Sequence, residues 1–238
     1  MQKYLLFCVF VLLFNCEDNQ SKKKTIPSAK TPTKTKVDSV SNSKKISVND
    51  TEESYPVLND KNAMEFFLQY EKEHKESKVR IVTDFGNIDI QLFNNTKFHR
   101  ANFIYLAKQN YFNNTQFYRV INNFMVQAGN SDDKATSRKR KKIGKYLLPT
   151  DTKKGYKHHR GVISMPSSEI DNPHKLASPY EFFIVQQTPG AYFLDGDYTI
   201  FGRVTKGMDV VDKIAAVERD EADWPLRNIY IKRVEILD

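Results

Sequence analysis

Apolar side chains recur along this chain with a period of two in several short runs and with a helical period in only a few. Val79, Ile81 and Thr83 alternate with polar residues, and Ile88, Ile90 and Leu92 do so again after Asp84, Phe85, Gly86 and Asn87. Two alternating runs around such a turn predict a β-hairpin. A helical period over residues 99–109 puts Phe103, Leu106 and Ala107 on one side with Ile104 beside them, and a second helix is predicted over residues 208–215. A last strand is predicted over residues 229–236, and other short strands lie between turns of Gly, Pro, Asn and Asp. Many short strands with few helices predict a mainly β barrel or sandwich.

Ahead of the hairpin, residues 55–78 predict one more helix. Asn62 followed by Glu65 reads as a capping box, and Ala63, Phe66, Phe67 and Tyr70 form an apolar stripe, with the charged end at residues 71–76 facing solvent. Two roles are open for this helix: packing on the outside of the β domain, or dimerisation. Residues 17–54 are rich in Lys, Ser, Thr, Asn and Asp and contain no aromatic residue. Such a segment buries too little apolar surface to offset its ordering entropy, so a disordered tether is expected.

Residues 1–16 read as a targeting segment. Lys3 precedes an apolar run at residues 4–14 that is short for a bilayer span, and Cys16 follows directly. That arrangement resembles a bacterial lipoprotein signal, in which the cysteine is lipidated; an uncleaved anchor is the other reading. Either one places residues 79–238 outside the cytoplasm and ties them to a membrane. Cys8 and Cys16 are the chain's two cysteines, so the remainder has neither a disulfide framework nor a cysteine metal site. With 238 residues, 39% of them hydrophobic, the chain has material for one or two domains with a polar remainder.

Residues 117–129, FYRVINNFMVQAG, set one arginine among apolar side chains in two strand-like runs. Arg119 has an ordinary reading as an edge-strand residue with its head in water. Yet the run is similar to the F-H-R-V-I-x-x-F-M-x-Q-G-G signature of the cyclophilin family of peptidyl-prolyl isomerases, matching at Phe117, Arg119, Val120, Ile121, Phe124, Met125, Gln127 and Gly129. Further agreements come in the family's order: Asn102 and Phe103, the run GVISM at residues 161–165, Phe182 to Ile184, Leu194 to Gly196, Phe201 to Val204 and Gly207 to Val211. The resemblance spans residues 79–238, roughly two thirds of the chain.

That resemblance implies a closed eight-stranded antiparallel barrel with two covering helices, to which the helix of residues 55–78 is an addition. It also implies a monomeric prolyl isomerase that needs no cofactor and no metal. Arg119 would be the hydrogen-bond donor to the prolyl nitrogen. Phe124, Met125, Phe183 and Leu194 would form the proline pocket, Gln127 would orient Arg119 or the peptide backbone, and Tyr198 and Phe193 would complete the substrate wall. Tyr198 stands where many relatives have histidine, Phe193 where many have tryptophan, and Pro166 and Ser167 replace an Ala-Asn pair. Glu181 replaces a glutamine and joins the substrate-binding set: its carboxylate either pairs with Arg119 and competes with substrate, or accepts a hydrogen bond from a substrate N–H or a basic client side chain.

The remaining chemistry is sparse. His158 and His159 are adjacent, so on a strand they point to opposite faces and do not share a metal. The basic run at residues 138–142, with a net charge of +8, offers a nucleic-acid surface or a solvated loop that meets an acidic client or glycan. The second fits an exported chain without interleaved aromatics, so no nucleic-acid partner is expected. The sequence thus predicts a membrane-anchored extracytoplasmic isomerase of a Gram-negative bacterium, acting on proline-containing unfolded or exported polypeptides. A non-catalytic proline-peptide binding module or holdase on the same fold is the alternative.

Overall fold

The computed structural model describes residues 55–167 and 172–238. In chain order the elements are β1 (Leu58–Asn59), α1 (Ala63–Glu73), β2 (Lys78–Thr83), β3 (Gly86–Leu92), α2 (Lys97–Lys108), β4 (Thr115–Ile121), β5 (Met125–Asn130) and α3 (Lys134–Ile143). They continue with β6 (Gly144–Lys145), β7 (Val162–Ser164), β8 (Phe182–Val185), β9 (Ile200–Lys206), α4 (Met208–Ala215) and β10 (Tyr230–Ile236). Eight strands close into an antiparallel barrel in the order β10, β2, β3, β9, β7, β8, β5, β4, with β4 pairing back onto β10; β1 and β6 form a separate parallel pair. Residues 1–16, with Cys16, predicted as a signal segment, and residues 17–54, predicted as a tether, lie outside the described residues.

The predicted hairpin is β2 and β3, in the register Val79↔Ile90 and Ile81↔Ile88. Those four side chains are buried, while the outward neighbours Arg80 and Asp89 pair at 2.6 Å across the same two strands. Alternation follows because one face of each strand lines the barrel interior. The helix α2 plugs one end: its Phe103 meets Phe112, Phe182 and Phe201 at ring distances of 4.7, 5.6 and 5.8 Å. The other end is covered by α4, whose Val210 abuts Gly86 at the opposite end of β3.

The helix α1 packs on the outer side of α2, with Phe66, Phe67 and Tyr70 at 5.1, 5.8 and 5.4 Å from the Tyr105 ring. Helix and barrel fall in one compact unit, and the apolar stripe is covered by this chain's own Tyr105 and Tyr146. The capping box does not form. Asn62 instead accepts from the Asn59 N–H at 2.7 Å and donates to the Val57 carbonyl at 3.0 Å, tying down the entry turn, while Glu65 accepts from Gln69. Nor does the charged end simply face solvent. Buried Arg100 donates to the carbonyl of the capping residue His74 at 3.0 Å, a partner that the end of a helix lacks, and to that of Glu76 in the connection beyond at 3.2 Å, and lies 3.7 Å from Glu71.

A further correction concerns residues 138–142, which form part of α3 rather than a solvated loop. Asp133 caps this helix by accepting from the Thr136 N–H at 2.6 Å. Lys139 turns inward and donates to the carbonyls of Asn110, Tyr111 and Asn113 at 3.1, 3.1 and 2.6 Å, and Arg140 turns toward the barrel wall; Arg138, Lys141 and Lys142 stay exposed. The inward stripe is thus made partly of cations whose stems lie against protein, which hides its helical period from an apolar pattern.

Candidate active site

One irregularity in the barrel wall places Arg119. Phe117 pairs with Ala128 and Arg119 with Gln127, so Tyr118 is an extra residue, a β-bulge. Phe117 and Val120 are both in the core, and the bulge between them turns Tyr118 and Arg119 to the outer face. A regular strand would have put Arg119 inside with Phe117. A second shift skips Gly129, whose φ of +98° and close approach to the Tyr180 carbonyl leave no room for a Cβ.

The register then carries a row across neighbouring strands, Arg119↔Gln127↔Phe183↔Ser164, with Met125 on the same face two residues before Gln127. Residues in register on one face are neighbours. Over this wall folds the connection between β8 and β9, which carries Leu194 and Tyr198. The result is a cleft of about 300 Å³ lined by Arg119, Phe124, Met125, Gln127, Phe183, Leu194 and Tyr198, together with Pro166 and Ser167. Met125 and Phe183 are buried in an apolar cluster separate from the barrel core, against which Phe124, Leu194 and Tyr198 pack.

The predicted residues Phe193 and Glu181 are not in that lining. Phe193 is 68% exposed and leans on Phe124 at 5.3 Å, forming a rim, because the tight turn at Tyr192–Leu194 directs Leu194 inward and its neighbour outward. Glu181 does not pair with Arg119. One carboxylate oxygen accepts from Arg140 at 3.2 Å and the other from the Tyr118 hydroxyl at 3.0 Å. Arg140 is less exposed than Arg119, at 29% against 43%, so its charge is less screened and draws the carboxylate. Nor does Gln127 bond Arg119: its Nε2 donates to the Tyr118 hydroxyl oxygen.

The partner of Arg119 is a residue that the sequence reading missed. Its Nε lies 3.5 Å from Asp223 Oδ2, in the connection between α4 and β10. That connection is fixed where it matters, because the Asp223 carbonyl accepts from the Val120 N–H at 2.9 Å and Asp220 accepts from the N–H groups of Ala222 and Trp224 at 2.9 and 2.8 Å. Trp224 lies 5.8 Å from the Tyr118 ring. The guanidinium is held from its Nε side, while Nη1 and Nη2 make no hydrogen bond among the described residues. Tyr118 and Asp223 carry no signal of their own in the sequence, and Arg140 stands out only as part of the basic run, since each acts through a partner distant along the chain.

Below the cleft, His158 is fully buried and stacks parallel to Phe183 at 6.1 Å. Its Nδ1 lies 2.9 Å from Asp195 and its Nε2 3.3 Å from Ser164 Oγ, which is the order of a nucleophilic triad. The serine is wholly buried and its hydroxyl donates to the Thr199 carbonyl at 2.7 Å, so no substrate reaches it. Burial lowers the pKa of His158 despite Asp195; burial also opposes ionisation of Asp195, but the His158 N–H groups and Lys157 outweigh it and hold the carboxyl below its usual range. The pair therefore pins the Leu194 turn under the cleft. His159 points elsewhere, to the Tyr192 hydroxyl at 2.8 Å.

Known proteins resemble this chain in sequence and in fold. The family model described as cyclophilin type peptidyl-prolyl cis-trans isomerase/CLD matches residues 78–236. A peptidyl-prolyl cis-trans isomerase-like 2 of Rhizopus delemar is 39% identical over 171 residues, covering 71% of this chain and 30% of that protein. A peptidyl-prolyl cis-trans isomerase of Acinetobacter baylyi is 37% identical over 145 residues, covering 58% of this chain and 72% of that protein. The chain thus spans less than a third of the first relative's length. Among solved structures, a cyclophilin type isomerase of Cryptosporidium parvum, determined in the presence of the dipeptide Ala-Pro, superposes with a TM-score of 0.56 at 27% identity, covering 68% of this chain and 99% of that one.

Proposed function

The chain belongs to the cyclophilin-type peptidyl-prolyl cis-trans isomerase family, and from that premise we propose that it catalyses cis-trans exchange at X-Pro bonds of extracytoplasmic polypeptides. The carrying observation is Arg119, half-exposed, at the side of an apolar cleft with Phe183 and Met125 in its lining. Exchange about an X-Pro amide is opposed by about 18–20 kcal/mol of lost resonance. A guanidinium that donates to the prolyl nitrogen as it leaves the amide plane stabilises the twisted state selectively, and an apolar pocket holds the ring away from water. Arginine suits the task because it stays charged and presents rigid donors. A magnetisation-transfer NMR measurement on a proline peptide, with and without the chain, tests this; an unchanged exchange rate at catalyst excess refutes it.

A binding module without catalysis is the rival; its grounds are Pro166 and Ser167, which line the cleft, and a carboxylate at Glu181 competing for Arg119. Engagement of Glu181 by Arg140 and Tyr118 removes the latter ground and supports the catalytic reading. Asp223 takes the part foreseen for Glu181, but as a steady holder of Nε. The pair is half-exposed and worth about 1 kcal/mol at most. Asp223→Ala is therefore expected to lower kcat/KM about threefold to fivefold, measured in a protease-coupled assay; a loss of a hundredfold would give Asp223 a different role.

The proposed setting is outside the cytoplasm of a Gram-negative bacterium, with Cys16 lipidated and exported polypeptides as clients. The support is the order of Lys3, an apolar run and Cys16. Cys16→Ser is expected to abolish incorporation of labelled palmitate and release the protein from membranes. Equal membrane retention with no label in either protein would favour an uncleaved anchor.

A further inference from the structure

A chain of side-chain hydrogen bonds runs from the basic helix α3 to the lining of the cleft. Arg140 donates Nε to the Tyr111 hydroxyl at 2.8 Å and Nη2 to the Gly129 carbonyl at 3.4 Å and Glu181 Oε1 at 3.2 Å. Its cation lies 5.1 Å over the Tyr180 ring. Glu181 Oε2 then accepts from the Tyr118 hydroxyl at 3.0 Å, and the same hydroxyl oxygen accepts from Gln127 Nε2. Gln127 lines the cleft beside Arg119.

The direction of this chain follows from proton counting. A carboxylate only accepts, and a phenol has one proton to give. Burial first, and Glu181 second, raise the pKa of Tyr118 far above its ordinary value, so the hydroxyl keeps its proton at neutral pH. With that proton committed to Glu181, the phenol oxygen has only lone pairs left for Gln127. The amide of Gln127 must meet it with its N–H, and the carbonyl oxygen is turned the other way.

We propose that Glu181 is a positioning residue that sets the polarity of the cleft wall, holding Gln127 so that it offers Oε1, an acceptor, to the bound peptide. This rests on reading the cleft as a prolyl-peptide site. Peptides that bring a backbone N–H to that part of the wall are preferred. A glutamine at position 181 carries both a donor and an acceptor, so it would let the Tyr118 hydroxyl turn to Gln127 and the amide reverse. Arg140, on the inward-facing side of α3, anchors the far end.

The test replaces, one at a time, each backbone N–H flanking the proline of a short peptide by an ester oxygen, and measures Kd with the full chain, with Glu181→Gln and with Tyr118→Phe. At one position the wild type is expected to bind the ester roughly twofold to tenfold more weakly, the size of one neutral hydrogen bond. Both variants should lose that sensitivity. Equal sensitivity in all three proteins, or none at any position in the wild type, overturns the proposal. In protein carrying ¹⁵N-labelled glutamine, the side-chain amide protons of Gln127 should show NOEs to the Tyr118 ring in the wild type and lose them in Glu181→Gln. If the wild type neither binds nor isomerises proline peptides, the functional reading fails and this NOE comparison decides the relay alone: unchanged NOEs overturn it.

Discussion

Arg119→Ala is expected to slow prolyl exchange by about a hundredfold or more while the protein stays folded. Losing one pre-organised donor at a developing charge typically costs roughly 2.7–4 kcal/mol. Stability should barely move, because the side chain is 43% exposed and its ion pair with Asp223 is shared with Arg219 at 3.1 Å. Substitutions at such positions usually change stability by about 0.5 kcal/mol or less. Arg119→Lys should fail nearly as badly, because an ammonium cannot keep Asp223 on one nitrogen and present fixed donors on the others. Exchange rates measured by NMR beside thermal melts separate the two effects. A rate within twofold of wild type would remove Arg119 from the chemistry, and an unaltered peptide Kd with lost exchange would show that the cleft binds without help from the guanidinium.

What could be read from the sequence depended on whether a strand has one covered face or two. In β2 and β3 the inner positions are buried and the outer ones carry Arg80 and Asp89, so alternation was plain. In β7 and β8 every residue is buried, because the cleft and its covering turn sit on the outer side of the wall. There the period vanishes, and family resemblance found what periodicity could not. The same limit explains α3, whose inward stripe is partly cationic.

The site divides along a similar line. Arg119, Gln127 and Phe183 come from separate strands, yet barrel register brings them together, and motif resemblance was enough to name them. Asp223 was invisible because its contact depends on the turn that Asp220 organises. The expectation for Glu181 went wrong for a related reason. The motif draws attention to the cation it names, whereas the cation that reaches this carboxylate lies on α3, a helix that the sequence pattern does not predict.

The acid limit of the fold is expected to come from His99, a residue with no part in the site. It lies in α2, buried, with neither ring nitrogen hydrogen-bonded among the described residues and the Phe201 ring 6.2 Å away. Burial lowers its pKa from 6.5 to about 3 in the folded protein. Between those values the unfolded chain binds the proton and the folded one does not, so stability is full above pH 6.5 and falls as pH drops toward 3. Each unit is worth about 1.36 kcal/mol, so lowering the pH to about 4.5 removes about 2.7 kcal/mol, a large share of a typical 5–15 kcal/mol. His158, also lowered by burial, adds in the same direction, partly opposed by Asp195. The carboxylates held below their usual range, such as Asp89 and Asp212, start to contribute only at lower pH. His99→Leu should therefore flatten the loss between pH 7 and pH 4.5 in urea unfolding and match or exceed the wild type at neutral pH, since it removes two unpartnered polar atoms. An identical loss in both proteins would move the acid sensitivity away from α2.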